Sequence, residues 1–143
     1  MIQLAGRILN WACDPKLDFI GHIGGDDFIL LMQSRDWKAR CEQALRSFQQ
    51  AASLLFNPDH LDAGGYPSEA RDGNVQFHPL TSLSIGVVPV TGGRFMSHHE
   101  VSAAMTEAKK MAKRIHGNSI FIEQRASAIK SERRHPCTPT PSR

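Results

Sequence analysis

The run Phe19-Ile20-Gly21-His22-Ile23-Gly24-Gly25-Asp26-Asp27-Phe28-Ile29-Leu30-Leu31 constrains this chain more than any other stretch. Two apolar segments rich in Ile, Leu and Phe flank a Gly-Gly-Asp-Asp break. Apolar runs bounded by turn residues read as buried strands, and so short a break leaves room only for a tight hairpin. Glycine takes positive φ at no steric cost, so Gly24 and Gly25 suit the turn. The same turn could do chemistry. Its glycines admit a phosphate close to backbone N–H groups, and Asp26 and Asp27 offer hard oxygen ligands suited to Mg²⁺. Gly-Gly-Asp is also ordinary hairpin punctuation, so the turn by itself leaves both readings open.

Around the hairpin, periodicity places the other elements. Ile2, Leu4, Ala5, Ile8, Leu9 and Ala12 recur near helical spacing. Asp14-Pro15 ends that helix, because the residue before proline is pushed out of the α region. The hairpin strands are expected from about Asp18 to near Gln33. Asp36 is placed to cap a helix with an apolar stripe of Trp37, Cys41, Ala44, Leu45, Phe48, Ala51, Ala52 and Leu55, expected to pack on the sheet. Asn57-Pro58-Asp59 should stop it. Residues 57–79 read as one long connection, relieved only by a short strand through Val75, Phe77 and Leu80 after an Asp72-Gly73-Asn74 turn.

Thr81 to Val90 reads as a strand with Leu83, Ile85 and Val87 on one face. Ser82, Ser84 and Gly86 on the other face are small enough to let a helix or ligand approach. Ser97-His98-His99-Glu100 is a capping box. The helix it opens should bury Val101, Ala104, Met105, Ala108, Met111, Ala112 and Ile115, with Gly117 near its C-terminus. Ser119 to Glu123 is a last short strand. His22 is expected to serve structure or face solvent, and His98 and His99 to lie exposed in a first helical turn.

Composition narrows the class. The chain has 143 residues, 41% apolar and 22% charged, which suits one globular domain. No apolar run reaches the ~18 residues of a membrane helix. Met1 to Cys13 lacks the basic start and small-residue cleavage site of a signal peptide. Cys13, Cys41 and Cys137 are odd in number and widely spaced, which points to a cytoplasmic setting and to neither a disulfide framework nor a zinc site. After Gln124 come Arg125, Lys130, Arg133, Arg134 and Arg143 against Glu132, a net +4 within a whole-chain net of +3. The body is therefore slightly acidic, the basic character belongs to a Pro-containing tail expected to be disordered, and no nucleic-acid face is implied.

Ile23-Gly24-Gly25-Asp26-Asp27-Phe28 resembles the GG(D/E)EF signature of GGDEF domains, the diguanylate cyclase family, with Asp27 where the family usually has Glu. Leu83-Ser84-Ile85-Gly86-Val87 is similar to the family's S-I-G-V strand. Ala108-Lys109-Lys110-Met111-Ala112-Lys113 resembles the end of its A-x-x-A-K-x-x-G-R helix, with Ala112 for Gly and Lys113 for Arg. The three occur in the family's order. Phe77-His78-Pro79-Leu80, ahead of the S-I-G-V-like strand, is similar to the C-terminal GGDEF domains of composite proteins that carry EAL and CBS domains.

The resemblance spans about residues 2–123. It implies an α/β fold, a nucleotide-cyclase palm-like (ferredoxin-like), mainly antiparallel sheet with flanking helices. The family's first strand, with a D-x-D-like motif, and the guanine-reading segment after it find no counterpart, so residues 1–123 are expected to be a partial GGDEF domain and 124–143 a disordered tail. A sheet short of that strand is expected to be poorly stable or to self-associate.

By function, the resemblance implies bacterial cyclic-di-GMP signalling: two GTP joined into cyclic-di-GMP with loss of two pyrophosphates, by two domains meeting face to face. Asp26 would be catalytic and a ligand of Mg²⁺ (or Mn²⁺), and Asp27 catalytic. Gly24, Gly25, Lys109 and Lys113 would bind GTP. Asp18 falls at the Asp of the family's inhibitory R-x-x-D site, degenerate here because Pro15 replaces the arginine. The isolated chain is expected to be inactive. The alternative is a degenerate GTP-binding regulatory module controlling a linked phosphodiesterase domain, and a purely structural domain is a third reading.

Overall fold

A computed structural model of the chain describes residues 1–69 and 73–124. Asp72 of the expected turn and the basic tail from Arg125 lie outside the described residues. The first helix, α1 (Ile2–Ala12), leads to strands β1 (Phe19–Gly24) and β2 (Asp27–Leu31), which pair antiparallel as the hairpin pattern requires. Helix α2 (Trp37–Ser53) packs beside α1. Phe48 of α2 is the largest fully buried side chain among the described residues. With Ala5 and Ala52 it forms a core ringed by Leu4, Ile8, Phe28, Phe56 and Leu83. The α2 stripe thus meets α1 first; Phe28 of β2 and Leu83 pack against the same core, and α2 also touches the last strand, Ser119–Ile122. Leu55 falls beyond the end of α2 and is exposed. Cys41 is buried in the α2 stripe, and burial pushes its thiol up to about 11.

Asp36 precedes α2, but its carboxylate makes no capping bond. It accepts from Arg40 Nε at 2.8 Å instead, so an i,i+4 ion pair takes the place of the expected cap. Residues 57–79 carry more regular structure than their sequence suggests. A short helix, α3 (Pro58–Asp62), is followed by an antiparallel hairpin of β3 (Gly65–Glu69) and β4 (Val75–Pro79). Asn57-Pro58-Asp59 ends one helix and starts another: Asn57 Oδ1 accepts from Asp59 N at 2.9 Å, and Pro58 stands in the first turn, where its missing N–H costs nothing.

The last unit is β5 (Ser84–Val87), α4 (His98–Lys113) and β6 (Ser119–Ile122), with β5 and β6 parallel. Two strands joined through a helix can return alongside each other in parallel, which an antiparallel reading does not provide. The α/β class with flanking helices is therefore present. The strands described form three two-stranded sheets, two antiparallel and one parallel, instead of one mainly antiparallel sheet. Strand β5 is shorter than the Thr81–Val90 run because its partner has four residues, and Asn118 Oδ1 takes the Leu83 N–H at 2.7 Å ahead of it.

Gly86 fulfils the small-face expectation: a methyl group there would lie 2.5 Å from Lys109 N and 2.6 Å from Ala108 C, so α4 rests directly on β5. Ser97 Oγ accepts from Glu100 N at 3.3 Å, while the Glu100 carboxylate accepts from Met96 N at 2.9 Å, one residue beyond the N-cap N–H of the usual capping box. Ala108 and Ala112 are fully buried on α4, whereas Met111 and Ile115 of the expected stripe stay exposed.

Candidate functional site at the hairpin tip and helix α4

The β1–β2 turn is held from beneath. Phe28 packs in the core, close enough to Gly6 that a methyl group there would lie 3.3 Å from its ring. His22, paired with Phe28 across the hairpin, stacks on it at 4.8 Å, and its Nε2 donates to the Gly25 carbonyl at 3.0 Å. His22 therefore serves the turn's structure. The register slips between His22 and Gly24, leaving Gly25 and Asp26 at the tip. Gly25 has φ +57°, which glycine adopts freely and other residues rarely do. Nothing lies within 4 Å of where a side chain would project from Gly24 or Gly25, so the backbone at the tip is open to an approaching group.

Helix α4 carries two lysines to this tip. Lys109 Nζ lies 2.5 Å from Asp27 Oδ1, and Lys113 Nζ lies 4.0 Å from Asp26 Oδ2. One helical turn separates the lysines, so both project from the same face. The hydrogen bond from Lys109 is the main force holding the Asp27 carboxyl below its ordinary value. Desolvation works the other way, and the charges of Lys109 and Lys113 add to the lowering. The four site residues expected to carry charge chemistry thus meet in one place, although more than 80 residues separate Asp27 from Lys109 in the sequence.

Two exposed carboxylates can hold Mg²⁺ only if phosphate oxygens or water complete its shell, the way Mg²⁺ is usually held with substrate phosphates. Among the described residues no three His, Cys, Asp or Glu side chains gather into a metal-holding group. The donor chemistry of Asp26 and Asp27, with an open glycine backbone beside them, fits a cation brought in together with a phosphate chain.

Asp18 stands apart from this cluster. Its Oδ1 accepts from Gln33 N at 2.8 Å and Ser34 N at 3.1 Å, and its Oδ2 accepts from Asp14 N at 2.9 Å and Ser34 Oγ at 2.6 Å. Burial pushes this carboxyl up, and the four hydrogen bonds outweigh it and hold the group down at about 2. Both oxygens are engaged in clasping the base of the hairpin, so Asp18 acts as a structural clasp.

One polar feature went unread in the sequence. Arg94, in the loop before α4, pairs with the buried carboxylate of Glu123 and donates through Nη1 to Pro89 O at 2.7 Å, fastening the ends of β5 and β6. No local pattern links a loop arginine to a carboxylate 29 residues on. A hollow of about 440 Å³ lies beside this pair, lined by Glu107, Ala108, Met111, Phe121, Glu123 and Gln124. At about 100° per helical residue its α4 lining points away from Lys109 and Lys113, so it is separate from the charged cluster.

Compared with family models, with curated proteins and with solved structures, the chain finds no match in any of the three. No helix among the described residues is long and apolar enough to cross a membrane.

Proposed function

We propose that the hairpin tip and α4 form a GTP site of the GGDEF kind on a palm-like scaffold. Asp26 and Asp27 would face a divalent cation, Mg²⁺ or Mn²⁺, and Lys109 and Lys113 the triphosphate, with the open backbone of Gly24 and Gly25 beside the phosphates. The bound cation would supply charge neutralisation for phosphoryl chemistry. The chain's own residues bind and orient the phosphate chain, and such transfer depends mainly on positioning and electrostatics. Two such sites facing each other, one from each of two domains, would join two GTP into cyclic-di-GMP. The observation that carries this reading is the meeting of the turn carboxylates with the α4 lysines. The comparisons with known proteins lend it nothing, so it stands on that geometry and on the sequence resemblance.

A second reading has its own support. Asp27 reaches one methylene less far than the family's usual Glu and is engaged by Lys109. A shift of roughly 1 Å in a reacting group can cost on the order of a hundredfold in rate. This favours a module that binds GTP and regulates a linked domain, such as a phosphodiesterase, without turning GTP over. One experiment separates the two. The chain is incubated with GTP and Mg²⁺ and assayed for cyclic-di-GMP and pyrophosphate, with thermal melting in parallel. Product that disappears in Asp26→Ala establishes the cyclase reading. A GTP-dependent rise in melting temperature without product, from this chain and from a version extended upstream, establishes the regulatory one. Neither product nor shift would overturn both and leave a structural domain.

A further inference from the structure

The charged cluster is neutral as it stands. Two carboxylates face two ammonium groups, Asp27 with Lys109 and Asp26 with Lys113, and all four side chains keep solvent contact. A divalent cation arriving alone meets carboxylates already paired and is repelled by two lysines. A polyphosphate arriving alone meets lysines already paired and is repelled by two carboxylates. Only when both arrive can every charge change partner, with the carboxylates turning to the cation and the lysines to the phosphate oxygens.

We propose that the Lys109–Asp27 and Lys113–Asp26 pairs form a latch that admits a divalent cation and a polyphosphate together and resists each one alone. The inference rests on reading this cluster as a cation–triphosphate site, and it adds a coupling which that reading does not require. The parts suit an exchange of partners. Lysine is a compact point charge on a flexible stem and can swing from carboxylate to phosphate, which a bidentate arginine fork does less readily. Its helix stays fixed, because Gly86 brings α4 into direct backbone contact with β5 at Lys109. Exposed pairs of this kind are weak enough to be displaced, so the latch biases binding without blocking it.

The test measures binding of Mn²⁺ alone by paramagnetic relaxation of water, of inorganic triphosphate alone by calorimetry, and of the Mn²⁺–triphosphate complex. The proteins are the full chain, Lys109→Ala, Asp27→Asn, the double variant, and Lys110→Ala. Lys110 pairs with Glu107 on α4 and controls for the loss of a positive charge as such. Lys109→Ala is expected to bind Mn²⁺ alone roughly two- to fivefold more tightly than the full chain, the range that an exposed ion pair supports. Asp27→Asn should bind triphosphate alone more tightly by a similar factor. Both should bind the complex less tightly, Lys110→Ala should match the full chain, and the double variant should lose the gain in Mn²⁺ affinity.

If the full chain binds the complex but Lys109→Ala shows no gain for Mn²⁺, or Lys110→Ala shows the same gain, the latch is overturned and the site reading stands. If no protein binds either probe or the complex, both the site reading and the latch fall. All three positions are exposed or half-exposed, and circular dichroism on each variant checks that it is folded.

Discussion

Asp18 shows how one side chain can govern the element that carries the site. Its carboxylate gathers donors from Asp14, Gln33 and Ser34, and so ties the end of the α1–β1 loop to the segment leaving β2. Replacing Asp18 with Ala strands these donors and should cost about 1–3 kcal/mol, read by urea unfolding at neutral pH. The pH dependence comes from the direction of its shift. The folded carboxyl titrates at about 2, below its ordinary 3.8, so the folded state favours the ionised form. The contribution is fully present above pH ~4 and is lost as the pH falls through 2. The full chain should therefore lose stability between these limits, and Asp18→Asn should show a flatter profile there. An equal acid loss in both proteins would place the sensitivity elsewhere. The sequence offered Asp18 as a strand-entry residue and as a relic of an inhibitory site. Its clasp was not legible, because two of its donor residues lie 15 and 16 positions on and become neighbours only when the hairpin closes.

Elements were legible where local pattern and packing agree. The bounds of α1, the β1–β2 hairpin and α4 derive from periodicity, glycine and a capping motif, all of which act within a few residues. The helix within 57–79 was hidden because Asn-Pro-Asp can both stop and start a helix, and which role prevails depends on the residues next in the chain. The parallel pairing of β5 with β6 was equally hidden, since strand direction is settled by the crossover helix and not by the strand's own residues. The small-residue face of β5 was legible as a place where a helix or ligand could approach; α4 takes it, and its seat makes a testable demand. The three atoms nearest a methyl group at Gly86 are backbone atoms of Ala108 and Lys109, none of which can rotate away. Gly86→Ala should cost about 1–3 kcal/mol in unfolding experiments, the usual range for overpacking, and should move Lys109 off Asp27. Gly92→Ala is the control, because open space surrounds that position; it should change stability by about 0.5 kcal/mol or less. Similar losses in the two variants would show that α4 does not rest on Gly86.

At the scale of the whole molecule, the strands among the described residues are divided among three sheets of two, and a two-stranded sheet is marginal unless a face is packed. The β1–β2 hairpin packs one face through Phe28 onto the α1–α2 core. The opposite face is apolar and open: Phe19 and Leu31, paired across the strands, are 57% and 56% exposed, and Ile23 near the bulge is 69% exposed. Phe19 and Ile29 also close over Gly21, which makes the patch continuous along the hairpin. Phe77 and Val75 of β4 add a second exposed group. Contiguous apolar surface beside unpaired strand edges favours association. Sedimentation should therefore show a concentration-dependent rise in mass. Leu31→Lys places a charge beside Phe19 at the open end of the hairpin patch and should shift the chain towards monomer, whereas Val75→Lys reports on the β4 group separately. A full chain that stays monomeric over a hundredfold range of concentration would refute the association. A change with Val75→Lys alone would move the contact to β4, and would leave the hairpin's open face as solvated surface.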